Sequence, residues 1–144
     1  MSDLLRRRAM MAQSRGKTMQ LLAEYTVTEP VREIKIPFTE QMRSCEVLYV
    51  MLDITEKDSD WLYVKFSSGN AAYYGARTSD KDNFQIIHVG AATVENIVFP
   101  SKTIAMTSTN GTPAATTDVS YINFYSYTSS KRIQAGTVKI YGEV

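Results

Sequence analysis

The chain has 144 residues, a net charge of +1, and 44% hydrophobic against 22% charged residues. That is enough for one domain with a full core and too little for two, with the balance of an ordinary globular protein; it argues against a molecule built around bulk nucleic-acid binding, which needs a strongly basic face. Cys45 is the only cysteine, so no internal disulfide can hold the fold, and no apolar run approaches the roughly 18–20 residues that cross a bilayer.

Residues 3–14 favour helix: Leu, Arg, Ala, Met and Gln are good helix formers, and no Gly, Pro or β-branched residue interrupts them. Ser2 or Asp3 suits the start and Gly16 the end. The charge is concentrated here. Residues 1–17 hold five basic side chains (Arg6, Arg7, Arg8, Arg15, Lys17) against Asp3 alone, whereas the remainder holds 11 basic and 14 acidic ones. A basic arm on a mildly acidic body signals that the arm touches something the body does not. The arm has no apolar stretch of the kind that follows the charges of a secretory signal, because "AMMAQSRGK" turns polar at once. An organellar presequence is disfavoured, since the segment is short and poor in hydroxyls.

From Met19 the period becomes two. In "MQLLAEYTVT", Leu21, Ala23, Tyr25 and Val27 are expected on one face. "REIKIPF" puts Ile34, Ile36 and Phe38 on its apolar side, and "CEVLYVMLDI" is apolar on both sides, as befits a strand central in its sheet. "DWLYVKFS" turns Leu62, Val64 and Phe66 inward; "NAAYYGA", "NFQIIHV", "ENIVF" and "KTIAMTS" are further strands. "SYINFYSYT" sends Ile122 and Phe124 one way and Tyr121, Asn123, Tyr125 and Tyr127 the other, and "AGTVKIYGEV" points Val138 and Ile140 inward. Turn clusters such as "KDSD", "SSGN" and "SDKDN" separate the runs, and "TSTNGTPAATTD" reads as a long loop. Eight to ten short strands so spaced describe an all-β fold, an antiparallel β-sandwich of jelly-roll type preceded by a short N-terminal helix. The expected organisation is an arm over 1–17 and a β-sandwich over 18–144.

Several of these stretches resemble a known group. "LLRRRAMMAQ" is similar to the helix that heads many small virion proteins of phages and prophages. "LLAEYTVTEPVREIKIPF" resembles the opening strand pair of jelly-roll modules in tail-tip and receptor-binding proteins, "FTEQMRSCEVLYVMLDI" their long buried strand, and "AGTVKIYGEV" their closing strand. The resemblance implies a non-enzymatic structural component of a virion, of tail, head-fibre or decoration type. It implies other virion proteins as partners and a homo-oligomer, a trimer by analogy with jelly rolls that close on a three-fold axis. A carbohydrate-binding adhesin module that recognises host surface glycans is the alternative.

The chemistry-bearing residues fit that picture. The single histidine, His88, follows "FQII" in a strand, and Cys45 opens a buried one, so both read as packing residues; a Cys45–His88 pair is chemically conceivable but unsupported by spacing. Asp53, Glu56, Asp58 and Asp60 cluster beside a turn and read as solvated acids, as do the loop acids of "EKDSD" and "SDKDN", which lack the full calcium-loop pattern. No zinc spacing, phosphate loop or dinucleotide fingerprint is present, so no cofactor or metal is expected. Two candidate surfaces are left. In the arm, Leu4, Leu5, Met10 and Met11 would fill a partner's groove while Arg6, Arg7 and Arg8 pair with its carboxylates; membrane insertion and nucleic-acid binding are not expected of so small an apolar face and so short a basic run. In the body, Tyr121, Tyr125, Tyr127, Trp61 and Tyr63 lie on faces opposite the core. Such rings serve subunit interfaces or stack on sugars, and their flat row points first to a subunit contact, with glycan contact as the alternative.

Overall fold

Strict alternation of large apolar and polar residues can be satisfied only by sheets that bury one face, and two antiparallel sheets form. The computed structural model describes residues 3–58, 62–68, 71–78, 84–90, 93–98, 103–105, 114–116, 119–126 and 128–144. Helix α1 (Asp3–Ser14) leads into β1 (Met19–Val27), β2 (Glu33–Pro37), the short helix α2 (Glu40–Ser44), β3 (Val47–Lys57), β4 (Leu62–Ser68), β5 (Ala71–Thr78) and β6 (Phe84–Val89). Then come β7 (Thr93–Val98), β8 (Thr103–Ala105), β9 (Ala114–Ala115), β10 (Tyr121–Ser126) and β11 (Ile133–Glu143). The larger sheet runs β1-β11-β3-β6-β7-β8, with β9 also on β7, and the smaller runs β2-β10-β4-β5.

The inward residues expected from the alternation meet in one core. Ile34, Ile36, Phe38, Leu62, Val64, Phe66, Ile122 and Phe124 come from the small sheet, and Leu48, Val50, Leu52, Ile87, Val138 and Ile140 from the large one. Phe38 and Phe66 meet edge to face, with centroids 5.9 Å apart. Each such side chain, once buried, contributes about 1.5–3 kcal/mol, so this layer dominates stability. A second cluster lies on the opposite face of the large sheet, where Tyr49 and Phe84 are buried together with Leu5 of α1. This is why β3 is apolar on both sides.

Three details depart from the alternation. In β1 a bulge between Leu21 and Ala23 shifts the register against β11. The extra residue turns Leu22 toward the core and leaves Leu21 exposed, the reverse of the sequence expectation, because a bulge inverts the phase of everything before it. Helix α2 interrupts the segment read as entry to a strand; Thr39 caps it by accepting from the Met42 amide, and Met42 is fully buried. Gly136, at φ 143°, lies beside another bulge, and a Cβ there would come within 2.5 Å of the Asp53 carbonyl oxygen. The stretch read as a loop contributes β9, while its first residues lie outside the described ones.

Two fully buried residues on the core faces of the sheets break the apolar rule, Ser126, whose hydroxyl donates to the Thr128 carbonyl at 3.1 Å, and Gln85. Gln85 is fully buried on the face that carries Ile87, directly opposite Val50. Neither its amide nitrogen nor its amide oxygen has a hydrogen-bond partner. Such an unmet amide costs about 1–3 kcal/mol. Gln85→Met, which keeps the volume and removes the polar atoms, should therefore raise the thermal midpoint; a lower midpoint would show that the amide contributes to stability.

Candidate functional site

The arm's inner side belongs to the body. Leu5 and Ala12, one face of α1, are wholly buried, and Leu5 packs with Tyr49 and Phe84, whose rings stack at 6.2 Å. The helix stops where Gly16 takes φ 72°. There the Lys17 amide donates to the Ala12 carbonyl and the Gly16 amide to that of Gln13, the paired bonds of a glycine-terminated helix. This turn aims Arg15 at β11, where its Nη2 donates to both carboxylate oxygens of Glu143 at 2.9 and 2.8 Å. Tyr49 Oη donates to the same carboxylate at 2.8 Å. Burial alone would raise the Glu143 carboxyl, but the hydrogen bonds from Arg15 and Tyr49 and the nearby charges of Arg15 and Arg8 outweigh it and leave it lowered. Burial, then the Glu143 hydrogen bond, pushes the Tyr49 hydroxyl up to about 12.

The predicted docking residues therefore divide. Leu5 is buried within its own chain and cannot fill a partner's groove, because the large sheet offers it a nearer apolar surface. Leu4, Met10 and Met11 are exposed at 42%, 69% and 50%. Arg6 and Arg7 are exposed, Arg6 lying 3.8 Å from Asp3, and Arg8 is half-buried. What α1 presents outward is a ridge of methionine and leucine edged by arginine.

The outer face of the small sheet is the second place. The ladder sets Glu33, Tyr125 and Tyr63 side by side across β2, β10 and β4; the next row outward on that face is Lys35, Asn123 and Lys65, and the one after it Pro37, Tyr121 and Ser67. The Lys35 ammonium stands 4.8 Å over the Tyr121 ring, and that of Lys65 4.7 Å over the Tyr125 ring. Tyr63 and Tyr125 are 5.6 Å apart. Asn123 is completely buried at the middle. Its Nδ2 donates to Glu33 at 2.8 Å, while its Oδ1 has no hydrogen-bond partner. The hydrogen bond from Asn123, helped by the charges of Lys35 and Lys65, holds the Glu33 carboxyl below the usual range despite some burial. Tyr121 and Tyr125 are half-buried, and a lysine over such a ring is held by about 0.5–2 kcal/mol, weakly enough to exchange that contact for another. Trp61 and Tyr127, assigned to these faces from the sequence, lie outside the described residues.

Asn123, Lys35, Lys65 and Glu33 were not singled out in the sequence. Their signal was the phase of "SYINFYSYT", which puts Asn123 in line with the tyrosines, but only pairing of β10 with β2 and β4 brings the lysines alongside.

Cys45 and His88 both line a cavity of about 590 Å³, with Arg43, Glu46 and Glu95. The Cys45 thiol donates to the Gln41 carbonyl at 3.2 Å. Burial, reinforced by the charge of Glu143, raises its pKa, so it is a neutral thiol and a poor nucleophile. Arg43 is engaged with the Val119 and Thr116 carbonyls at 2.6 and 3.2 Å. Among the described residues, no group of three or more His, Cys, Asp or Glu could hold a metal, and no helix is long and apolar enough to cross a membrane. Comparison with protein-family models, with curated proteins and with solved structures yields no match.

The Arg15–Glu143–Tyr49 cluster fixes a pH response. A carboxyl whose folded pKa is depressed stabilises above its unfolded pKa, near 4.3, and loses that contribution as pH falls through the folded value. The raised Tyr49 hydroxyl acts at the other end: its contribution is complete below about pH 10 and is lost as pH climbs toward about 12. Thermal midpoints measured against pH should fall on both limbs; Glu143→Gln should flatten the acid limb and reduce the alkaline one only in part, because burial is the larger cause of the Tyr49 shift. Leu5→Ala should cost about 2–3 kcal/mol and speed amide exchange throughout α1; unchanged exchange would mean that α1 is held by other contacts.

Proposed function

We propose that this protein is a non-enzymatic structural component of a phage-type virion, in which a jelly-roll body is attached to a larger assembly through α1. The observation that carries the reading is the outward side of α1, where exposed Leu4, Met10 and Met11 lie among Arg6 and Arg7. A helix seated on its own sheet and still showing such a ridge suits a groove that is apolar within and acidic at its rim. The likeness of "LLRRRAMMAQ" to virion protein heads supports the same use. The strand order supports the jelly-roll reading: β1, β11, β3 and β6 fall side by side in the larger sheet, with β7, β8 and β9 added beyond β6, and β2, β10, β4 and β5 form the other; the two sets of four correspond to the two sheets of that architecture. The reading places the protein in the virion, assembled in a bacterial cytoplasm, as a homo-oligomer with a trimer favoured by analogy.

A second reading, a carbohydrate-binding module, is favoured by the outer face of the small sheet, whose tyrosine rings alternate with lysines around a buried amide.

The test is sedimentation of particles from producing cells. The wild-type chain should travel with particles in fixed proportion, and Met10→Glu/Met11→Glu should remain in the supernatant with an unchanged thermal midpoint. A wild-type chain that never sediments with particles, or a double variant that still does, would end the attachment proposal.

A further inference from the structure

We infer that the outer face of the small sheet is a binding site for an acidic sugar chain, one whose rings carry a carboxylate beside free hydroxyls, with Asn123 at its floor. The inference deepens the carbohydrate reading and rests on it. Its starting point is the misfit of Asn123. An outward position in a two-sheet sandwich ordinarily meets water, yet this side chain is fully buried and its Oδ1 lacks a hydrogen bond. A buried acceptor without a donor is a standing cost in the free protein; unlike the unmet amide of Gln85, which lies within the core, that of Asn123 lies on the outward face of the small sheet, in the row of Lys35 and Lys65. The donor it lacks is what a sugar hydroxyl supplies.

The surroundings define the rest of the ligand. Lys35 and Lys65 flank Asn123 in register, one from each neighbouring strand. Both ammonium groups rest over tyrosine rings, at 4.8 and 4.7 Å, and the Lys35 side chain is half exposed. A swing of the two lysines off the rings does two things at once. It frees the faces of Tyr121 and Tyr125 for the apolar side of a sugar ring, and it brings two positive charges to either side of Asn123. A neutral sugar would use the first and leave the lysines with no ligand charge to meet. A ring bearing a carboxylate uses both, and its hydroxyls supply the donor that Oδ1 lacks. Glu33 sets the polarity of the floor: it already accepts from Asn123 Nδ2 and lies 3.4 Å from Lys35. This fixes the amide with Oδ1 as the atom left to accept. Glu33 also supplies a rival for Lys35, so Lys65 carries the larger share of anion binding.

The experiment uses oligogalacturonate and its methyl ester, two chains with the same ring that differ in charge, titrated against the full-length protein. The carboxylated chain should bind, and the ester should bind about tenfold or more weakly. Lys65→Met, which keeps the stem and removes the charge, should weaken the carboxylated chain by a similar factor and leave the ester unchanged. Tyr125→Ala should weaken both. Equal binding of the two chains would overturn the acidic-sugar inference and leave the carbohydrate reading standing. Binding of neither would end both. A change of oligomer size in Lys65→Met or Tyr125→Ala, read by light scattering, would instead assign this face to a contact between copies of the chain. Should Tyr125→Ala fail to fold, the Lys65→Met comparison decides alone.

Discussion

The molecule depends on one ladder. Strands β3 and β11 pair from Leu48–Gly142 to Lys57–Ile133, and each presents residues to two different apolar layers. Leu48, Val50, Val138 and Ile140 face the small sheet, while Tyr49, Met51 and Tyr141 face α1. A strand pair buried on both sides cannot slip by one residue without exchanging two cores at once. That register fixes where Glu143 emerges, and Glu143 in turn receives Arg15 and Tyr49. The seat of α1 is thus set by the centre of the sandwich, although the helix itself contributes only Leu5 and Ala12 to burial.

The two surfaces differ in the way they meet water. On the large sheet the apolar outer face is covered by a helix, and the helix carries the exposed apolar residues outward. On the small sheet the outer face carries its own side chains, with lysine ammonium groups set over tyrosine rings. The first arrangement relocates a sticky surface to a narrow ridge. The second leaves a broad face of mixed polarity, which suits reversible contact better than permanent burial.

Much of the β-architecture was legible because period two is a direct imprint of one buried face. Ile34, Ile36, Leu62, Val64, Ile122 and Phe124 were placed inward from alternation alone and are buried. The helix over 3–14 and its glycine stop were equally readable, since propensity and the φ 72° at Gly16 act locally. What escaped is non-local or too short to show a period. Helix α2 has five residues and no room for a repeat. The bulge at Leu22 depends on the partner strand, not on β1 itself. The fate of Leu5 was hidden for the same reason: a marginal helix gives no sign of which surface it will choose. The lysines beside Asn123 are separated from it by tens of residues, and only pairing brings them together.

The position of β11 also governs the order in which the chain can become a protein. The final strand of this sequence inserts between β1 and β3, and the amide of Val144 donates to the Thr18 carbonyl while Thr18 returns the bond. Until that segment arrives, β1 has no neighbour in its sheet and β3 lacks one side. The strands made first must wait with open edges for the one that closes them. Such a topology folds slowly, because its decisive contacts span nearly the whole chain, and it leaves unpaired edges exposed to neighbouring copies in the meantime. Crowded synthesis of many copies would therefore place the hazard before folding is complete, in the interval when β1 and β3 are present and β11 is not.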